Sequence, residues 1–351
     1  MYAFIVADDI GEKLWPVTNL QFPKALFPVY SENTLLEETI LRLISFVEKG
    51  ENIFICIPEK ALDTVTKQGT LEAFSIPVGN VCVVPESKGS LWSILKMCQK
   101  ISRRKKKEPV IVSPVDQFFW PQEALLYHLN NMVSGSIANP EEVIALCLPP
   151  GGPSPWLNYL HGDWEGVEMP SAPTDSVAGL LSTLFIDIQD CRIKPDYEAA
   201  QSLATSDWLW DLTTYMASVS LIEQSIKRLG DYSEFTVAKD VSLVWEQLPA
   251  VNFEDTVIPY LIESGQIKAA VIPRISWSTL DNWVSIQHLL YDAGLFNLSP
   301  VEEIHQIESH NNLVIKPVGK DVALYGVSDL IIIDTGNKLL IGTPEGLYEN
   351  F

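Results

Sequence analysis

The chain is 351 residues long and carries 24 Lys and Arg against 45 Asp and Glu, a formal net charge of -21 at pH 7. That balance excludes nucleic acid and anionic membrane surfaces as general partners, and 47% apolar with 20% charged residues is the composition of a globular protein rather than a disordered one. The length allows two or at most three domains, and no apolar run reaches the roughly 18 residues that a membrane span needs.

Met1-Tyr-Ala-Phe-Ile-Val-Ala-Asp-Asp9 lacks a basic start and meets Asp8 too early for a signal-peptide core, so it reads as a first strand, Tyr2 to Val6, of a cytoplasmic protein. A polar turn runs to Leu14. Thr34 to Phe46 then shows helical spacing, with Leu35, Leu36, Ile40, Leu43 and Ile44 on one face. Asn52 to Ile57, Val81 to Val84 and Val110 to Val112 read as buried strands, and Leu91 to Ile101 as an amphipathic helix. Strands alternating with helices, the strands apolar throughout, predict a parallel α/β sheet with ligands at the carboxyl ends of its strands.

Further along, Pro149-Pro-Gly-Gly-Pro-Ser-Pro155 is a loop by composition, and Trp156 to Glu168 reads as a strand pair over the sheet edge. Val241 to Leu248 and Ala269 to Ile275 read as strands, with a helix over Val257 to Ser264. Ser299 to Asn312 is a polar connection. After it, Leu313-Val-Ile, Val322-Ala-Leu, Leu330-Ile-Ile-Ile and Lys338-Leu-Leu-Ile recur at about eight to ten residues, as short stacked strands of a small C-terminal β domain. Such strands expose edges and an apolar face, which predicts contact with another copy or a partner protein, or packing back on the first domain.

Arg103-Arg-Lys-Lys-Lys107 reads as a solvated helix end before a strand. Five cysteines (Cys56, Cys82, Cys98, Cys147, Cys191) without CxxC spacing read as buried free thiols, and the five histidines form no HxxxH or HxH pair that would suit a metal.

Ala7-Asp-Asp-Ile-Gly-Glu-Lys-Leu-Trp-Pro16, followed by Phe22-Pro-Lys-Ala-Leu-Phe-Pro28, resembles the opening of the mannose-1-phosphate guanylyltransferases, A-G-G-x-G-T-R-L-W-P and then P-K-Q-F. In the same order come Ser113-Pro-Val-Asp116 for L-P-A-D, Ile193-Lys-Pro195 for E-K-P, Trp210-Asp211 for W-N, and Trp277-Ser278 with Trp283 for W-S-D-x-G-x-W. Tyr325-Gly-Val-Ser-Asp-Leu-Ile-Ile-Ile-Asp-Thr335 is similar to that family's G-x-x-D-L-V-V-V-D-T.

The resemblance implies a nucleotidyltransferase-like (Rossmann-like) α/β fold, a mainly parallel sheet over residues 1–298, and a linker with the small C-terminal β domain over 299–351. It implies that mannose 1-phosphate attacks the α-phosphorus of GTP to give GDP-mannose and diphosphate, with Mg²⁺ as cofactor. By position it assigns Ala7, Gly11, Lys13 and Lys24 to the nucleotide, with Lys13, Lys24 and Asp116 catalytic. It further assigns Lys194 and Asp211 to the sugar phosphate, and Asp116 to the metal.

The departures fall on the same site. Asp8 and Asp9 stand where the family has glycines, placing side chains and negative charge toward the triphosphate; Thr279 stands at the second metal aspartate, with Asp281 two residues on. Pro85-Glu-Ser-Lys-Gly-Ser90 replaces the base-reading segment, Trp92 fills a proline position, and Asp211-Leu-Thr213 replaces N-S-G. Two readings stay open: an active nucleotidyltransferase with atypical loops, and an inactive relative acting as a regulatory or scaffolding subunit.

Overall fold

The chain alternates short apolar strands with amphipathic helices; in the computed structural model, residues 1–101, 105–165, 183–272, 275–292 and 304–350 are described. Among them the strands are β1 Tyr2–Val6, β2 Ile53–Pro58, β3 Val81–Val84, β4 Pro109–Pro114, β5 Gln117–Trp120, β6 Val143–Leu148, β7 Tyr159–Gly162, β8 Leu184–Arg192, β9 Trp208–Ser218, β10 Ile267–Val271 and β11 Ser276–Thr279. Beyond these come β12 Ile304–Ile307, β13 Leu313–Ile315, β14 Val322–Tyr325, β15 Ile331–Asp334 and β16 Leu339–Gly342.

The main sheet is nine-stranded in the order β3-β2-β1-β4-β9-β6-β10-β8-β7, with β7 also pairing β9. Alternate residues of β1 enter different cores. Ala3 and Ile5 join the cluster that includes Leu36, Ile40 and Leu43 of helix Leu35–Val47, while Tyr2 and Phe4 join the one that includes Leu91, Ile94 and Leu95 of helix Ser90–Lys100. A strand buried on both faces has no polar positions, which is why the run is apolar throughout. Helix Leu35–Val47 opens on a capping box, the Glu37 amide donating to the Thr34 hydroxyl at 3.2 Å and the Thr34 amide to Glu37 at 2.9 Å.

The sheet is mixed, which corrects the expectation of a mainly parallel one. The first four strands are parallel, as are β6 and β10, but β9 lies antiparallel between β4 and β6, and β8 is antiparallel to β10. Parallel neighbours require a crossover over one face of the sheet, usually a helix. β9 returns from a long excursion after β6 and enters the gap from the opposite end. A second correction concerns Val241 to Leu248, where a 3-10 helix over Val241–Gln247 replaces the expected strand. Asp240 caps it by accepting from the Ser242 amide at 2.9 Å, and Val241 and Trp245 turn into the core together. Of the expected strand pair over Trp156 to Glu168, β7 is present and residues 166–168 lie outside the described residues, as do Arg103 and Arg104 of the basic run. Lys106 of that run is ion-paired to Glu223.

Among the described residues the C-terminal strands pair with one another, β13-β15-β16 and β12-β14, and not with the main sheet. One face is not independent. Leu313, Ile331 and Ile333 are buried in the same core as Trp283, Ile286 and Leu290 of helix Trp283–Asp292. Ile333→Val should therefore lower the stability of the whole chain by about 1 kcal/mol, the usual range for a buried methyl. Urea unfolding should show that loss within one transition; a separate early transition carrying all of it would show that the C-terminal strands unfold alone. Four of the five cysteines are buried and all are free, with burial pushing the Cys82 and Cys191 thiols up to about 11, so they are inert as nucleophiles. No helix among the described residues is long and apolar enough to cross a membrane.

Candidate functional site

β1 and β4 are parallel neighbours in register, Val6 beside Pro114, so the loops leaving their carboxyl ends emerge on the same edge of the sheet. After β1 come Ala7, Asp8, Asp9, Gly11 and Lys13; after β4 comes Asp116. Ala7 is buried and its amide donates to the Cys56 carbonyl at 2.9 Å, extending the β1-β2 pairing by one residue.

Alternation then sends the two aspartates opposite ways. Asp8 turns inward, 2% exposed, and accepts from the Ser87 hydroxyl at 2.7 Å. Burial pushes its carboxyl up, partly offset by that hydrogen bond. This corrects the expectation that both aspartates face a triphosphate: Asp8 is a strut to the segment Pro85 to Ser90. Asp9 points to the cleft side and meets Lys24, whose ammonium lies 2.6 Å from Asp9 Oδ2 and 2.6 Å from Asp116 Oδ2.

Lys24 opens a 3-10 turn, Lys24–Leu26, between buried Ala25 and Leu26 and the loop at Gly11. A Cβ on Gly11 would lie 2.7 Å from that of Lys24, and φ at Gly11 is 78°, so this surviving glycine is needed for both shape and space. Burial works against the ammonium, but Asp116, Asp9 and Asp281 together hold Lys24 protonated far above the ordinary lysine range. For Asp9 burial likewise acts upward, and the Lys24 charge overrides it to leave the carboxyl below its usual range.

Lys13 reaches the same edge, with its ammonium 4.5 Å above the Trp156 ring and 4.0 Å from Asp281. Asp281 accepts from the hydroxyl of Thr279 at 2.8 Å and from the Asn282 side-chain amide at 2.8 Å. Thr279 thus does not replace the lost carboxylate. It holds the neighbouring one.

Lys194 and Asp211 meet at the other end of the cleft through Asn158, whose carbonyl takes the Asp211 amide at 2.9 Å and whose side-chain oxygen takes the Lys194 amide at 3.1 Å. The Lys194 ammonium is paired to Asp255 at 2.8 Å. Asp211 is 1% exposed and accepts from the Tyr215 hydroxyl at 2.7 Å and the Thr213 amide at 2.9 Å. Burial raises its carboxyl to about 7 against those bonds, with Glu254 and Asp255 adding to the rise. Glu254, also raised by burial, accepts from the Ser90 hydroxyl at 2.9 Å.

Between these ends lies a cleft of about 710 Å³ lined by Asp116, Asp211, Asp281 and Trp156, Trp210 and Trp277 among others. Its size suits a small-molecule ligand. The segment expected to read the base is clamped instead: Val251 donates to the Lys88 carbonyl at 2.8 Å, and a Cβ on Gly89 would lie 2.2 Å from the Val251 carbonyl oxygen. Trp92 is fully buried with its indole donating to the Pro249 carbonyl at 2.8 Å, a packing residue. The donor set does not fit a resident divalent cation. Asp116 is engaged by the Lys24 ammonium, and no group of three metal-ligating side chains converges among the described residues.

Sequence reasoning missed Asp255, Glu254 and Tyr215 as residues of this cleft and its rim. Asp255 lies far from Lys194 in the chain, and no motif links them. Asp281 carried the one available signal, an acid just past the tryptophan motif.

Residues 3–151 match the nucleotidyl transferase family. Over 353 residues the chain is 24% identical to a mannose-1-phosphate guanylyltransferase of Escherichia coli, covering 97% of this chain and 70% of that one. Over 361 residues it is 22% identical to the alginate biosynthesis protein AlgA of Pseudomonas aeruginosa, covering 99% and 70%. Among solved structures, one titled mannose-1-phosphate geranyltransferase, from Thermus thermophilus, superposes with a TM-score of 0.79 at 18% identity, covering 99% of this chain and 96% of that one, a likeness of fold. The ordered motifs and these relatives agree: the first part of the chain, residues 3–151, matches the nucleotidyl transferase family, and over nearly its whole length the chain is similar to mannose-1-phosphate guanylyltransferases.

Proposed function

We propose that the cleft is a mannose-1-phosphate guanylyltransferase site, taking GTP and mannose 1-phosphate, and that the protein as it stands catalyses their conversion to GDP-mannose and diphosphate slowly. The observation that supports this is the Lys24–Asp116 pair at the carboxyl ends of adjacent strands. In the proposed reaction an oxygen of the sugar phosphate forms a bond to the α-phosphorus while the bond from that phosphorus to the bridging oxygen breaks, and diphosphate leaves with the electron pair. No covalent intermediate with the chain is needed. What the chain contributes is charge and position: Lys24 against the charge that develops on the phosphates, with Lys13 beside it and Gly11 letting the backbone come close. Lys194 and Asp211 would orient the sugar phosphate. Mg²⁺ would arrive with the triphosphate rather than reside on the chain.

The slowness follows from Lys24 already sharing its charge with two carboxylates, so less of it is available to a transition state. That contact also supports the second reading, a family member that binds these ligands in a regulatory role. Calorimetric titration of GTP with Mg²⁺, followed by radiolabelled GDP-mannose assay, tests both. We expect measurable GTP binding and turnover below about 0.1 s⁻¹, some hundredfold under the median for enzymes. Turnover at ordinary enzyme rates removes the second reading, and GTP that does not bind at all removes both.

A further inference from the structure

Two donors converge beside the cleft mouth. The backbone N–H of Gly11 and the buried ammonium of Lys24 meet on one carboxylate, that of Asp9: Gly11 N donates to Oδ1 at 3.0 Å and Lys24 Nζ lies 2.6 Å from Oδ2. A main-chain amide at a left-handed residue aligned with a cation is the arrangement that binds oxyanions in general. Here each donor takes a separate oxygen of the same group.

The two partners differ in freedom. Lys24 is held by the loop at Gly11 and by Asp116, and is 6% exposed, so the donor pair persists whatever Asp9 does. The Asp9 side chain is 55% exposed and, among the described contacts, is fixed only by those two donors. A rotation about its own side-chain bonds takes the carboxylate to solvent, where it regains hydration.

We propose that Asp9 is a displaceable plug: its carboxylate occupies an oxyanion cradle formed by Gly11 N–H and Lys24, and a phosphate group enters that cradle only by turning Asp9 out. This rests on the reading of the cleft as a phosphate-ester site and adds to it a residue that sets how weakly that site takes a phosphate. The distinction from simple repulsion is concrete. Repulsion acts at any position near the ligand and fades with salt, whereas a plug competes for the same two donors. Asp8, one residue earlier, has no share in it.

The test uses inorganic pyrophosphate as the probe, free of base and sugar, and isothermal titration of the full chain. Asp9→Asn and Asp9→Gly should each bind pyrophosphate about tenfold tighter than wild type, the scale of a charge-assisted contact released for use. The gain should vanish when Lys24→Met is added. Should that last chain not fold, the Gly11 amide resonance in Asp9→Asn substitutes for it, and it should shift on adding pyrophosphate. Folded Asp9 variants that bind no tighter than wild type overturn the proposal. So does a gain that survives Lys24→Met, or a Gly11 resonance that stays in place. GTP binding no tighter than pyrophosphate in every variant would instead remove the guanylyltransferase reading and leave the plug intact.

Discussion

Replacing Lys24 by methionine should destabilise the protein by about 3 kcal/mol, the lower part of the range for removing one partner from a buried ion pair. Methionine keeps most of the side-chain volume, so the loss is one of charge. It leaves Asp116, mostly buried, and Asp9, each 2.6 Å from the vacated ammonium position, without their cation. Because Asp9 is more than half exposed, solvent screens its share, and this places the expected value at the low end. Adding Asp116→Asn should recover part of the loss, the two changes being non-additive because they remove partners of one contact. Urea unfolding at pH 7 measures both. The pH dependence gives a second reading. Asp9 has a folded value below its unfolded one, so its contribution is present above about pH 4 and is lost as the pH falls through the folded value. Wild type should therefore lose stability on that acid limb and Lys24→Met should lose less. Equal limbs would show that Lys24 is not what holds Asp9 ionised.

The largest effect at the opposite end of the pH scale belongs to Asp211. Its folded value, about 7, lies above the unfolded 3.8, so the folded state binds the extra proton between these values. The contribution is then fully present below about pH 4 and is lost as pH rises through 7, with a ceiling of about 4 kcal/mol by linkage. Asp211→Asn keeps the shape and the acceptor for the Thr213 amide but cannot ionise, and the Tyr215 hydroxyl can turn to accept from the new amide. The variant should match wild type near pH 3, begin to exceed it by pH 5, and exceed it by a few kcal/mol at pH 8. Glu254, raised in the same direction, remains in both proteins and sets the residual slope. Denaturant midpoints across that range decide the matter; parallel curves would mean that Asp211 ionises freely in the fold.

Some elements were readable because their signal is local. β1 to β3 and the Val110 to Val112 stretch of β4 are apolar without interruption and largely buried, and helix Leu35–Val47 carries both its stripe and its capping box within a few residues. Val241 to Leu248 failed for the same reason in reverse. Apolar residues spaced through Val-Ser-Leu-Val-Trp fit a strand and a 3-10 turn about equally over so short a stretch, and the choice fell to Asp240 capping the turn and Trp245 reaching the Glu86 carbonyl at 3.0 Å. The antiparallel insertion of β9 has no local mark, because strand direction is a property of where the chain comes from and not of the residues in it.

The sequence by itself carried the resemblance to the mannose-1-phosphate guanylyltransferases, through motifs whose spacing survives at low identity, and it put Asp116 beside the β1 loop on one edge, since the ends of these strands emerge together. The orientation of Asp8 and Asp9 was misjudged from the sequence: in the structure Ala3, Ile5 and Ala7 share one core and Tyr2 and Phe4 the other, and the same alternation turns the two aspartates to opposite sides of the sheet. What only the tertiary structure decided is what each aspartate meets there. Ser87 lies 79 positions from Asp8, Asp116 lies 92 from Lys24, and Asp255 lies 61 from Lys194. A carboxylate acquires its character from burial and from the charge a few ångströms away, and over such separations both are set by the packing of the sheet. Hence two neighbouring acids of the same kind became, in the folded chain, a buried strut and an exposed counter-ion.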